Sequence, residues 1–199
     1  VGGLGERIVE GAFAHVGHSR AYLFREGRLL RLTHDHTIGR RRGSKVPVAG
    51  PVRVNAAEDL TARFGGGHWS GHPSERGLAW DLRQGKVLVA RRGKTVVGTL
   101  KLQTKKPWAI DASYFTTVKR PWYLTNMAVD PTYQGKGIGK RCVLEAVKLV
   151  REWGGEAVRL DAYDAVAGAG PFYEKCGFTE RGRVAYRMNP LVYYELVLG

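Results

Sequence analysis

The spacing of apolar residues is clearest in the second half of the chain. Apolar side chains recur there every three or four positions, at Ile138, Cys142, Ala146, Leu149, Val150 and Trp153. This spacing predicts a helix over 137–153 with one buried face, ended by Gly154-Gly155. Over 156–163 apolar and polar residues alternate instead, which predicts a β-strand.

Further strands are predicted where apolar or β-branched residues cluster between turn signals. They cover residues 86–90, 95–102, 121–129, 179–186 and 191–198. The last two form a closing hairpin around Met188-Asn189-Pro190, and a short helix over 170–175 is stopped by Gly177. Helices that interrupt both hairpins and a strand–helix–strand crossover predict an α/β protein with a mixed sheet.

The region from residue 52 to 85 predicts one short strand and two helices. Val52-Arg53-Val54 is the strand, and Asn55 with Glu58 then forms a capping-box pattern for a helix through Arg63. Gly65-Gly66-Gly67 ends this helix, and a second one is expected from Ser74 to Leu82.

The first fifty residues differ in character from the rest. Residues 22–24 and 29–32 predict a hairpin around Glu26-Gly27. Residues 40–45 are basic, and 46–51 are punctuated by Pro and Gly, as in a linker. The prediction is therefore an N-terminal basic extension of unknown role over 1–50, followed by one domain over 51–199.

Composition narrows the class of protein. With 199 residues, 43% hydrophobic and 25% charged, the chain is typical of one globular domain and excludes global disorder or a fibrous architecture. Apolar runs are too short for a membrane span. Two cysteines form no disulfide framework or zinc knuckle, which favours a reducing, cytoplasmic compartment. The net charge of +14 favours anionic partners.

A glycine-rich loop lies between the strand 121–129 and the amphipathic helix, in the sequence Gln134-Gly135-Lys136-Gly137-Ile138-Gly139-Lys140. Amide groups at a helix start bind phosphate oxygens, and glycine lets the backbone approach the ligand. A Walker A loop is excluded because Gln134 and Arg141 stand where Gly and Ser/Thr are needed. A dinucleotide fingerprint is excluded because its last glycine would fall on Lys140 or Cys142. A plain strand-to-helix connection is the alternative.

The remaining pattern, Gln134-x-x-Gly137-x-Gly139, resembles the coenzyme loop of the GNAT superfamily of N-acetyltransferases. The segment 124–139 is similar to that family's fourth strand and loop, and 171–178 is similar to its Phe-Tyr-x-x-x-Gly-Phe element. The resemblance implies a mixed, mostly antiparallel sheet flanked by helices, with a V-shaped splay between the family's strands four and five. It also implies acetyl-CoA as cosubstrate, bound by Met127, Ala128, Val129, Gln134, Gly135, Lys136, Gly137, Ile138, Gly139 and Lys140.

The same resemblance implies direct acetyl transfer to an amine of a small molecule or peptide, which enters from the opposite side of the splayed sheet. The Met127 amide would lie near the thioester oxygen, and Tyr173 would act as general acid, since a phenol stays protonated at neutral pH. Neither Cys142 nor Cys176 is expected to act as a nucleophile. Many relatives carry an Asn before the short helix, and Asp164 replaces it only in part.

The general base stays open, because Tyr123 stands where some relatives carry a glutamate. The alternatives are Asp111, Asp164, Glu174, His68 and His72. His34 and His36 are of a residue type that binds metals, but no third ligand accompanies them, so no metal site is predicted.

Two other functions are alternatives to catalysis. A non-catalytic acyl-CoA sensor or partner-binding module would keep the loop without the chemistry. An RNA-directed enzyme is suggested by charge alone, and a solvated basic linker is favoured over it because no RNA-stacking motif is present. The acceptor and the formation of a homodimer are not predictable from the sequence.

Overall fold

The computed structural model of the chain describes residues 11–12, 22–25, 28–31, 50–71, 84–92 and 95–199. Three short strands lie near the N-terminus: β1 (Gly11–Ala12), β2 (Tyr22–Arg25) and β3 (Arg28–Arg31). They pair antiparallel in that order, which confirms the predicted β2–β3 hairpin. The basic segment 40–45 and the helix expected over 74–82 lie outside the described residues.

A second sheet of six strands forms the centre of the fold. Its strands are β4 (Lys86–Arg92), β5 (Thr95–Gln103), β6 (Pro121–Val129), β7 (Ala157–Tyr163), β8 (Thr179–Tyr186) and β9 (Asn189–Val197). They lie in the order β4-β5-β6-β7-β9-β8. Only β6 and β7 pair parallel; the other neighbours are antiparallel. The predicted mixed, mostly antiparallel sheet is confirmed.

Three α-helices accompany the sheet in the described part of the chain: α1 (Gly50–Phe64), α2 (Ile138–Glu152) and α3 (Gly170–Glu174). Ile138, Ala146, Leu149 and Val150 of α2 are buried, as the apolar spacing predicts. Val143 and Val147 complete the buried face, while Cys142 and Trp153 pack at its margin. The core therefore lies between α2 and one face of the sheet.

The predicted strand Val52–Val54 is wrong, because these residues belong to α1. Pro51 lies in the first turn of the helix, where its fixed φ is compatible with helical geometry. Val52 is only 2% exposed, and this burial outweighs a valine helix-propensity cost of about 0.7 kcal/mol or less. Asn55 is thus not a cap, and its Nδ2 donates instead to Asp130 Oδ2 at 2.8 Å.

The turn of the closing hairpin is also displaced from its predicted place. Tyr186 pairs with Asn189, so the two turn residues are Arg187 and Met188, with φ of 46° and 67°. Two successive positive φ values are typical of a type I′ turn. Asn189 and Pro190 are the first residues of β9, a position that proline tolerates.

The predicted splay lies between β6 and β7. Their parallel ladder contains only the pairs Pro121–Ala157, Trp122–Val158 and Tyr123–Arg159. Beyond Tyr123, β6 remains paired with β5 only, and β7 remains paired with β9 as far as Tyr163. The two strands thus form the walls of a cleft that opens toward their C-terminal ends.

Candidate functional site

The glycine-rich loop connects β6 to the first turn of α2. Gly135 and Gly137 have φ of 72° and 77°, a region that residues with a Cβ adopt at a cost. The Gln134 amide donates to the carbonyl of Pro131 at 3.2 Å. Among the described residues, no backbone carbonyl accepts from the six amides of residues 135–140. With the positive end of the α2 dipole behind them, these amides form a site for phosphate oxygens.

The two lysines of the loop differ in their surroundings. Lys136 Nζ donates to the carbonyl of Thr132 at 2.9 Å and lies 5.3 Å from the centre of the Tyr133 ring. Lys140 is exposed on the first turn of α2. Both ammonium groups therefore contribute positive charge beside the free amides.

A β-bulge interrupts β6 just before the loop. Thr125 pairs with Lys101 and Ala128 with Thr99, so Asn126 and Met127 together oppose one residue of β5. Asn126 has a φ of 53°, which marks the bulge. Among the described strands, the β6–β7 ladder ends at Tyr123, and a strand edge of this kind can pair with an extended ligand.

Tyr173 lies on α3, directly beside this bulge. Its side chain is buried at 7% exposure, and its hydroxyl lies 3.7 Å from Met127 Sδ. Burial above all, and then the charge of Asp161, raises the pKa of Tyr173, so the phenol stays protonated at neutral pH. A Cβ added to Gly139 would lie 3.2 Å from Phe172 Cζ and 3.5 Å from Met127 Cε. The loop, the bulge and α3 thus meet at one point.

Three of the predicted candidates for the general base accept hydrogen bonds from other residues of the protein. Asp164 accepts two hydrogen bonds from Arg183 Nη1 at 2.9 and 3.1 Å. Asp111 accepts from the amide and hydroxyl of Ser113, and Glu174 Oε1 accepts from the Tyr194 hydroxyl at 3.2 Å.

The remaining positions are a buried tyrosine and two histidines. Tyr123 is buried among Ile110, Phe115 and Tyr193. The side chain of His68, and His72 as a whole, lie outside what the structure describes.

Two residues that the sequence analysis did not select lie on the walls of the splay. Thr125 is on β6, and Asp161 is on β7. The sequence signal that points to Asp161 is its position between two apolar strand residues, Leu160 and Ala162, both of which are buried in the structure. Such an acid requires a polar environment, which the alternation of β7 alone does not reveal.

Both cysteine thiols pack in or against the core. Burial raises the pKa of Cys142 to about 11 and also raises the pKa of Cys176, so both stay protonated at neutral pH. Within the described ranges, no group of His, Cys, Asp and Glu is arranged to hold a metal ion. Along the same residues, no helix combines the length and apolar character needed to cross a membrane.

The sequence matches the model of the acetyltransferase (GNAT) family over residues 54–178, well over half of the chain. No curated protein matches the sequence.

Solved structures with a similar fold include yncA from Salmonella typhimurium, described as an acetyltransferase and solved with its cofactor acetyl-CoA. The TM-score is 0.54 at 18% identity, over 76% of this chain and 90% of that one. A GNAT-family acetyltransferase from Desulfovibrio desulfuricans has a TM-score of 0.51 at 18% identity, over 73% and 90% of the two chains. An aminoglycoside 6'-N-acetyltransferase complexed with coenzyme A has a TM-score of 0.50 at 16% identity, over 73% and 89%. At these identities the similarity concerns the fold.

Proposed function

The chain belongs to the GNAT family of acetyltransferases, and we propose that it transfers an acetyl group from acetyl-CoA directly to an amine. The observation that carries this proposal is the row of six amides over 135–140 with no backbone acceptor among the described residues. A helix N-terminus of this kind suits a diphosphate ester. We infer that the ester binds to residues 134–140, and that its extended arm lies along Met127, Ala128 and Val129.

The geometry beside the bulge supports direct transfer. The amine attacks the thioester carbonyl, a C–N bond forms and the C–S bond breaks. A preorganised amide such as that of Met127 stabilises the developing oxyanion, an effect of about 3 kcal/mol. Tyr173 gives its proton to the departing thiolate and regains one from the acylated nitrogen. Both thiols of the protein are protonated at neutral pH, which agrees with a reaction that has no acyl-enzyme.

The acceptor is an amine of a small molecule or peptide that enters from the side of the splay opposite to the coenzyme. The cytoplasmic location stays a prediction.

The phosphate site is tested by a pair of matched glycine variants. Gly137 and Gly65 have φ of 77° and 79°, and a Cβ added at either position meets no protein atom within 4 Å. Alanine at either position therefore costs the same strain, about 1–2 kcal/mol. We expect Gly137→Ala to weaken coenzyme A binding at least tenfold in calorimetric titration, because the methyl group enters the phosphate space. Gly65→Ala, at the end of α1, should bind as the wild type does.

Equal binding by both variants would contradict the phosphate site. Catalysis is then tested by thioester consumption from acetyl-CoA with a panel of amines. Coenzyme binding without consumption of the thioester would instead support a non-catalytic acyl-CoA sensor.

A further inference from the structure

The side chain of Met127 lies where the bulge, the coenzyme loop and α3 meet. Its Sδ is 3.7 Å from the hydroxyl of Tyr173. In the part of the chain that the structure describes, this contact is the only hydrogen bond of that hydroxyl. Because the phenol is buried, the thioether of Met127 occupies the space directly in front of the Tyr173 oxygen.

The other end of the Met127 side chain is bounded by the first turn of α2. A Cβ added to Gly139 would lie 3.5 Å from Met127 Cε and 3.2 Å from Phe172 Cζ. A side chain at position 139 would therefore contact both residues. Met127 thus extends from the Tyr173 hydroxyl to the start of α2, and it packs against the core.

The proposed reaction requires a second sulfur atom at the same place. Tyr173 protonates the departing thiolate only if the thioester sulfur comes within hydrogen-bond reach of its hydroxyl. Met127 Sδ lies within that reach, so the thioester sulfur has to replace it as the acceptor while the methionine shifts sideways. Methionine suits such a shift, because its side chain is unbranched and flexible.

The shifted side chain borders the acyl group, which is attached to the incoming sulfur. The amide of Met127 is the group expected at the thioester oxygen, so the acyl carbon and the Met127 side chain are close neighbours. Room to withdraw toward α2 is limited, because Phe172 and the first turn of that helix lie there. The methionine therefore stays in the space into which a longer acyl chain would extend.

We propose that Met127 restricts the acyl group of the cosubstrate to acetyl, so that propionyl-CoA and butyryl-CoA bind poorly. This inference rests on the proposed function and concerns the acyl donor. The effect is steric, since each added methylene has to displace part of a side chain that Tyr173 and α2 already confine. One methylene more or less in a hydrophobic pocket changes discrimination about 10–200-fold.

Calorimetric titration with acetyl-CoA, propionyl-CoA and butyryl-CoA, without any amine, measures this selection independently of turnover. We expect the wild type to bind butyryl-CoA at least about tenfold more weakly than acetyl-CoA, with propionyl-CoA between them. Met127→Ala removes the thioether and its methyl group, and should bring the affinities for acetyl-CoA and butyryl-CoA within about threefold of each other. Met127→Leu nearly conserves the side-chain volume and should keep the wild-type preference.

Met188 provides the matched control. It is the only other methionine of the chain, and it is 96% exposed in the turn between β8 and β9. Met188→Ala should show the wild-type preference. Met127→Val is the second variant should the melting temperature of Met127→Ala fall, because valine suits a β-strand and also removes Sδ and Cε. Its preference for acetyl-CoA should be reduced as in the alanine variant.

The methyl group of Met127 reports the exchange of the two sulfur atoms directly. In the NMR spectrum of protein with isotope-labelled methionine methyl groups, adding coenzyme A should shift the Met127 signal, which is identified by its loss in Met127→Leu. The signal of the exposed Met188 should not move.

Equal affinity of the wild type for acetyl-CoA and butyryl-CoA would overturn this inference and leave the proposed function intact. The same holds for an unchanged preference in Met127→Ala and Met127→Val, or for a Met127 signal that coenzyme A does not shift. Failure of the wild type to bind coenzyme A itself would overturn the proposed function and this inference together.

Discussion

The hydroxyl of Tyr173 is nearly isolated from the rest of the protein. Aromatic rings of Phe172, Phe178 and Tyr194 surround its ring, while its oxygen lies 3.7 Å from the thioether of Met127. A contact with sulfur is a weak hydrogen bond and contributes little to stability. Because the hydroxyl contributes so little to stability, its proton is available to a reacting atom.

Tyr173→Phe therefore separates catalysis from stability. We expect kcat to fall by on the order of 10²–10⁴-fold, because the departing thiolate loses its proton donor. The melting temperature and the calorimetric affinity for coenzyme A should stay at the wild-type values, since the ring packing is unchanged. Full activity of Tyr173→Phe would mean that solvent, and not Tyr173, protonates the departing thiolate.

At the scale of elements, the connection from β5 to β6, residues 104–120, is held by hydrogen bonds to residues of β7, β8 and β9. Glu195 of β9 accepts from the Thr116 amide at 3.1 Å, from Arg159 at 2.9 Å and from Arg181 at 2.9 Å. Arg159 also donates to the Thr116 carbonyl and lies 4.9 Å from the centre of the Phe115 ring. One buried carboxylate thus joins β7, β8, β9 and this connection.

Glu195→Gln should destabilise the fold strongly, because it leaves Arg159 buried at 5% side-chain exposure without its counter-charge. Loss of one partner of a buried pair costs about 3–5 kcal/mol. Burial by itself would raise the pKa of Glu195, but hydrogen bonds from Thr116 and Arg159 outweigh it, and the pKa is lowered from 4.5. The ionised group therefore stabilises the fold above pH 4.5, and this contribution is lost as the pH falls through the folded-state pKa.

Urea unfolding of the wild type and Glu195→Gln over a pH series checks this prediction. The difference in unfolding free energy should be constant near neutral pH and shrink in acid below 4.5. Glu180→Gln is the control, since Glu180 pairs with the exposed Arg183 and a surface ion pair is worth at most about 1 kcal/mol. Equal destabilisation by the two variants would contradict a special role of the buried carboxylate.

The same elements show how far the sequence alone leads. The bounds of β6 and nearly those of α2 were predictable, because local apolar spacing and flanking glycines determine them. The strand predicted over Val52–Val54 was wrong, because tertiary burial of Val52 overrides local β propensity. The facing positions of Thr125 and Asp161 were not predictable, since they depend on where the β6–β7 ladder ends.

For the whole molecule, the distribution of charge bears on the role of the N-terminal extension. Residues 1–49 contain nine Lys or Arg and four acids, so residues 50–199 keep a net charge of +9 out of +14. The coenzyme loop, the bulge, the splay and α3 all lie within 50–199. Attraction of a polyanionic cosubstrate is therefore mainly a property of the second part of the chain.

We expect a fragment of residues 50–199 to bind coenzyme A with the affinity of the whole chain and with the same dependence on salt. Calorimetric titration at two salt concentrations measures both quantities, because each phosphate contact adds to the slope of log K against log salt. Weaker binding by the fragment would mean that the extension contributes to the coenzyme site. RNA binding that falls steeply with salt in the whole chain and vanishes in the fragment would favour an RNA acceptor, because only the extension would then supply the contacts that RNA needs in addition to charge.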